Sequence, residues 1–278
     1  AAIPPVGSRA LPSYDIAALW ATGLLLAGPC AIFLYANFTE SLFVLLLALF
    51  LYCIQARWWW RAALVAAFAS ASRSQGVLFG PLLALSYLLR GDGNLPKRLA
   101  GSAAMGVISA TGLACYMLFL RREFDDPIAF MHAQKYWNVG IGLDRILFAA
   151  NPDHAITHLA MYIFPGGEVD WPRLWESLCL FWPPLVLIFG WRYLSLELVV
   201  LGAILWGLPY VSNSMAGNPP FDTAWMSMGR FMGVVIPVYV IFGGVLAKRL
   251  WLAPFLVVPW MAAFAIFSYK YGTGAWVG

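Results

Sequence analysis

Apolar runs of bilayer length follow one another through most of the chain, and that succession decides the fold class before any motif is read. A hydrocarbon core about 30 Å thick is crossed by about 20 apolar residues in a helix, or about 17–25 with tilt. Runs near 16–36, 40–55, 99–120, 176–191, 196–211, 230–247 and 252–269 meet or approach that length. Of the 278 residues, 62% are hydrophobic and 11% charged, whereas soluble domains average about 45–50% and about 25%. The sequence therefore predicts an all-α, polytopic transmembrane helical bundle in which 1–278 form a single transmembrane domain. The bilayer is its first partner. Nucleic acid is not one, because the net charge of +4 comes from basic residues scattered through short loops without a patch.

Two shorter runs, 62–72 and 76–89, flank Ser72-Arg-Ser-Gln-Gly76. Gly76 and Pro81 favour a break there, giving two short helices that meet near Arg73. Charge supports the same reading, because loops on the cytoplasmic side carry an excess of Lys and Arg. With two passes, Arg57, Arg61, Arg90, Lys97, Arg98, Arg192, Lys248 and Arg249 share one face with Arg9, and only Asp15, Asp92 and Glu197 of the 13 acids join them. A single pass would scatter this asymmetry. The opposite, non-cytoplasmic face then receives all three histidines and most other polar residues, including the long loop 121–175. Connections in compact domains run to about 6 residues, so this loop is expected to be functional and partly helical, with an interfacial helix over 145–164.

Two ionisable residues sit between apolar runs on that face. Glu40 lies in Tyr35-Ala-Asn-Phe-Thr-Glu-Ser-Leu-Phe43, and Arg73 lies between small hydroxyl residues. A charge at that depth costs about 2.5–3.5 kcal/mol on insertion scales and faces a cavity or a partner inside the bundle. Glu40 can cap the following helix together with Thr39. Arg73 can bind a phosphate through its planar fork of donors, or pair with Glu40. Arg230, at the start of a late apolar run on the same face, either snorkels to the surface or serves as a second phosphate contact. No metal site is read. His154 and His158 are spaced as ligands can be, but no zinc-protease pattern surrounds them, and solvated loop histidines are the commoner case. Cys30, Cys53, Cys115 and Cys179 lie in apolar runs as small packing residues. Asn37-Phe-Thr39 matches a glycosylation sequon but abuts a span, out of reach of a glycosylating enzyme.

Three segments carry a resemblance. Thr39-Glu-Ser-Leu-Phe43, Ala71-Ser-Arg-Ser-Gln-Gly76 and Gln134-Lys-Tyr-Trp-Asn-Val-Gly140, with Pro237 after Arg230, resemble in order and spacing the motifs of the PIG-V family. That family comprises GPI mannosyltransferase 2 and its prokaryotic relatives, within the glycosyltransferase C superfamily. The match covers roughly residues 28–140 well and the rest loosely. The resemblance implies a bundle of glycosyltransferase C type. Its expected reaction is inverting transfer of mannose from a polyprenyl-phosphate donor to a lipid-linked acceptor on the non-cytoplasmic face. The donor is a co-substrate, and no further cofactor is expected. It implies phosphate contacts from Arg73 and Arg230, and acceptor or sugar contacts from Glu40, Gln134, Tyr136, Trp137 and Asn138. The family's acidic loop before the Thr-Glu-Ser motif has no counterpart among residues 1–39, where Asp15 is the only acid. No catalytic base is assigned, and about two N-terminal spans are expected to be missing. The alternatives are a non-catalytic relative acting as an accessory subunit beside membrane partners, and a transporter, whose broken helices also carry polar groups to mid-membrane. No second copy of either short motif marks the internal repeat a transporter would show. Short loops fit a prokaryotic cytoplasmic membrane better than the endoplasmic reticulum.

Overall fold

The computed structural model describes residues 13–36, 38–136, 139–140, 142–151, 171–214 and 228–274. These residues are helical and contain no strand. In chain order the helices are α1 (Ser13–Leu26), α2 (Ile32–Tyr35), α3 (Glu40–Gln55), α4 (Trp59–Ser72), α5 (Phe79–Arg90), α6 (Leu95–Phe124), α7 (Ala129–Tyr136) and α8 (Leu143–Ala150). They continue with α9 (Trp171–Gly190), α10 (Leu196–Ser212), α11 (Met228–Met232), α12 (Ile236–Lys248) and α13 (Ala253–Gly272).

Two stretches among the described residues are long and apolar enough to cross a membrane, Leu95–Phe124 and Leu250–Gly272. A third exists if Asp15–Leu26 and Pro29–Tyr35, bent by 62°, count as one span. The run over 16–36 is thus a bent pair, because the proline ring at Pro29 removes a helical N–H donor. The run over 230–247 is likewise divided, by a break at 233–235 between α11 and α12. The helix starting at Glu40 has 16 residues and the one starting at Ile236 has 13. These are shorter than an upright crossing needs. Among the described residues, the seven expected spans therefore resolve into two long helices, one bent pair and four apolar helices of 10–17 residues.

The pair over 62–89 has the expected form. The chain leaves α4 at Arg73 with extended backbone (φ −152°, ψ 149°) and re-enters a helical path through a 3-10 turn over Ser74–Leu78. The Trp59 and Tyr87 rings, from opposite ends of the segment, meet edge-on at 5.3 Å, so α4 and α5 form a hairpin. A side-chain carbon at Gly76 would lie 2.0 Å from the Ala69 carbonyl oxygen, so only glycine permits this return. Helix α6 then runs beside both. Ser102 donates to the Ala84 carbonyl, and Ser70 contacts the Ser109 carbonyl at 2.9 Å and receives the Leu113 N–H at 3.1 Å. In lipid, helix association rests on close packing and interhelical hydrogen bonds, because lipid tails are as apolar as leucine. Buried Ala62, Ala63, Ala66 and Ala69 on α4 provide that approach. Phe50 stacks on Phe79 at 4.6 Å in the same core.

Helix α6 starts cleanly, with the Asn94 side chain accepting from Lys97 N at 3.3 Å and Pro96 in the first turn. It ends at Asp125 in a left-handed conformation, after Arg121 and Arg122 in the last turn, where cations complement the helix dipole. Its flanks expose Leu99, Val107, Leu118 and Phe119, and α13 exposes Phe255, Val258, Met261 and Ile266, as lipid-facing surfaces would.

The bundle has two chemically distinct ends. At one, Trp59 meets Tyr87, Arg90 pairs with Glu197, Arg98 donates to the Leu88 carbonyl, and the Lys248 ammonium sits 4.9 Å from the Tyr193 ring. The four basic loops inferred from charge asymmetry therefore share one end. At the other lie the Arg73 turn and α8, which packs on the end of α10 through Tyr210 donating to the Ala149 carbonyl and Ser214 donating to the Arg145 carbonyl. Helix α8 covers part of the interfacial helix expected over 145–164, and the remainder of that expectation lies outside the described residues.

Candidate functional site

Glu40 opens α3, where the helix dipole favours an acid. Thr39 precedes it without a side-chain capping bond, so the expected shared cap is not made. Glu40 turns inward instead and is 1% exposed. Arg73, delivered by the hairpin break, places Nη1 2.5 Å from Glu40 Oε1. This is an ionic contact, since Nη1 makes no hydrogen bond. Arg230 on α11, 190 positions away in sequence, donates Nε to the same oxygen. Oε2 of Glu40 is buried and has no hydrogen-bond donor among the described residues.

Aromatic rings enclose the cluster. The Arg73 guanidinium carbon lies 5.6 Å from the Phe43 ring centroid and 5.8 Å from that of Phe231. The Arg230 guanidinium lies 4.5 Å from the Phe38 ring. Ring faces attract cations, more strongly where water is excluded. The sequence held this signal, since Phe38 and Phe43 bracket the Thr-Glu-Ser segment and Phe231 follows Arg230, but only the fold assigns rings to guanidiniums.

Two guanidiniums share one carboxylate, so among the described residues the cluster carries an excess of one positive charge. Burying charges without full pairing is expensive, and perturbed ionisable groups cluster at functional sites. Of the hydroxyl residues beside Arg73, Ser72 is spent on the Ala69 carbonyl at 2.9 Å and Ser74 is exposed. Gln75 is 3% exposed, and its Oε1 is a second buried acceptor lacking a donor among the described residues.

The remaining sequence-derived site residues lie on α7 or outside the described residues. Gln134 is exposed on α7, where its carbonyl accepts the Val139 N–H at 3.0 Å. Tyr136 ends that helix, while Trp137 and Asn138 lie outside the described residues. His154 and His158 also lie outside them, and no group of metal-ligating residues occurs among the described residues. Cys30, Cys53 and Cys179 are buried and Cys115 is exposed. A feature missed in the sequence is the pair at the end of α6, where His132 Nδ1 lies 2.7 Å from Asp126 Oδ2. Ordinary spacing rules gave no signal for it, because the two flank a turn.

The fold defines an all-helical chain with two to three helices fit to cross a membrane and a buried ionic cluster at one end. No family model matches the chain, and neither does any curated protein or solved structure.

Proposed function

We propose that the chain is a membrane glycosyltransferase of glycosyltransferase C type, moving a mannosyl residue from a polyprenyl-phosphate donor to a lipid-linked acceptor on the non-cytoplasmic face. The observation that carries this reading is the uncompensated positive charge of the Glu40–Arg73–Arg230 cluster at the end opposite the basic loops. In such a transfer the bond from sugar C1 to the phosphate oxygen breaks, and the phosphate leaves with the electron pair. The acceptor oxygen bonds to C1 and gives its proton to a general base. Charge builds on the leaving phosphate in the transition state, so a guanidinium fixed beside it stabilises that state more than the ground state. The acids Glu123, Asp125 and Asp126, where α6 ends, are the candidates for the base. A general base needs a carboxylate or imidazole within hydrogen-bond reach of the acceptor hydroxyl.

The test is transfer of labelled mannose from polyprenyl-phosphate-mannose to a membrane lipid extract by the full chain in vesicles. Losing one such donor costs about 10²–10³ in rate, and the Arg73→Ala/Arg230→Ala pair should lose at least that much. Folded wild type that transfers no mannose from this donor refutes the reading. The face is tested separately, on a Cys115→Ala background. Cysteine at Asp92 should resist an impermeant thiol reagent added from outside, and cysteine at Gln134 should react.

A transporter is the second reading, and one observation favours it. The break at Gly28–Pro29 and the break after α11 touch, since a side-chain carbon at Gly233 would lie 2.9 Å from Cys30 Cβ. Paired broken helices are how transporters build mid-membrane sites. Movement of a labelled phosphate ester into protein-containing vesicles, with no glycosyl transfer, would select it.

A further inference from the structure

The two guanidiniums that meet Glu40 have different surroundings, and the difference divides their work. We propose, building on the anion-site reading above, that Arg230 takes the phosphoryl group of the ligand while Arg73 serves as the fixed counter-ion of Glu40. This reverses the emphasis of the sequence, which drew attention to Arg73 first.

Arg73 is the more deeply buried of the two. Its side chain is 10% exposed, it lies between the Phe43 and Phe231 rings, and Nη1 faces Glu40. Its backbone is also committed, with its N–H donating to the Ala69 carbonyl at 3.2 Å and its carbonyl accepting the Gly76 N–H at 2.9 Å. Its Nη1 could reach a ligand only by leaving a buried carboxylate, and stripping one partner from a buried pair is strongly unfavourable.

Arg230 is arranged otherwise. Its side chain is 30% exposed and one ring, Phe38, covers it. It holds Glu40 through Nε alone. Neither Nη is buried without a partner, and no acceptor engages either among the described residues. Both terminal nitrogens therefore stay accessible while the ionic contact persists. They form the planar pair of donors that matches two oxygens of a phosphate. An anion can add to Arg230 without opening the cluster, and its charge offsets the excess one.

The experiment uses the full chain in detergent micelles, with decaprenyl phosphate, inorganic phosphate and uncharged decaprenol as probes. Affinity is measured by calorimetry and thermal unfolding is followed in parallel. Decaprenyl phosphate should bind and decaprenol should not stabilise the protein. Arg230→Gln should weaken binding at least about tenfold, and Arg230→Lys, which keeps the charge and loses the fork, by a smaller factor. Arg73→Lys should lower the unfolding temperature of the free protein yet hold its Kd within about threefold of wild type. The proposal falls if wild type binds neither phosphate. It also falls if Arg230→Gln binds as wild type does, or if Arg73→Lys weakens binding as much as Arg230→Gln. Where Arg230→Gln does not fold, the Lys variant decides, and unchanged affinity in it overturns the assignment. Binding of inorganic phosphate through Arg230 supports the assignment and shows that the lipid tail is not needed. Binding through Arg230 without any mannose transfer sinks the glycosyltransferase reading and leaves the assignment standing.

Discussion

The two ends of the bundle handle charge in opposite ways. At one end Glu40 and Arg73 are drawn into the protein, Arg230 joins them from a partly exposed position, and the two cations share one acid at close range. At the other, most basic residues stay at the surface, and some lie against aromatic rings, as with Arg61 4.4 Å from the Trp58 ring and Lys248 4.9 Å from that of Tyr193. Depth explains the contrast. An exposed cation keeps its water and interacts weakly, whereas a buried one must find its compensation in the protein. The surface end can therefore serve orientation in the membrane, which needs only a surplus of Lys and Arg. The buried end requires fixed geometry, and fixed geometry is what a binding site uses.

The sharpest way to break this comparison is Glu40→Ala. It leaves two guanidiniums facing each other without their shared acid, and removing one partner of a buried pair costs about 3–5 kcal/mol. Equilibrium unfolding in mixed micelles should show a loss of that size. A loss no larger than that of a surface substitution would mean that water already compensates the charges and that the end is not buried in function.

A substitution between the two ends separates packing from charge. At Gly112 a side-chain carbon would lie 1.8 Å from the Ala67 carbonyl oxygen, so α6 must move away from α4 to admit one. Overpacking of this kind costs about 1–3 kcal/mol, and Gly112→Ala should destabilise by that amount. Since Ser70 lies at the same contact, its link to the Leu113 N–H should weaken as well. An Ala variant as stable as wild type would show that the helices have room the structure does not record.

At the basic end the corresponding change is smaller. Arg90 and Glu197 are 3.0 Å apart, with their side chains 32% and 16% exposed. Pairs of this kind contribute about 0.2–1 kcal/mol and weaken in salt. Arg90→Ala should cost no more than that, and the cost should shrink between low and high ionic strength. A cost that approaches that of Glu40→Ala, or one that ignores salt, would erase the distinction between the ends.

What the sequence revealed follows the same division. The break at Arg73 was legible because Gly76 and Pro81 punctuate an apolar run, and the basic end was legible because charge asymmetry adds up over many loops. The pairing of Arg230 with Glu40 was not, since it joins positions 190 apart and no local period links them. The loss of full-length spans was half legible. The Gly28-Pro29 pair stands in plain view inside the first run, but hydropathy averages across a break and cannot report a bend of 62°. Thr39 misled for a physical reason, because a hydroxyl residue before a helix is favoured as a cap and is not obliged to act as one.

The smallest expected effect lies beyond either end proper, in the turn after α6, and it tests how far the logic of depth extends. Asp126 accepts the Ile128 N–H through Oδ1 at 3.0 Å, and its Oδ2 meets His132 Nδ1 at 2.7 Å. The contact with His132 is the main cause that holds the Asp126 carboxyl below its ordinary range, and the Ile128 N–H adds to it. A carboxyl whose folded pKa is depressed stabilises the fold fully above its unfolded pKa, and that contribution fades as pH falls through the folded pKa. Asp126→Asn should therefore lower the unfolding temperature slightly at neutral pH, and the gap from wild type should close on acidification through the carboxylate range. A gap that widens in acid would reverse the sign and show that Asp126 is protonated more readily in the fold than out of it. Asp126 is solvated, unlike Glu40, so the neutral-pH gap should stay well under that of Glu40→Ala. Equal gaps would place this turn in the buried cluster's environment and redraw the boundary between the two kinds of charge.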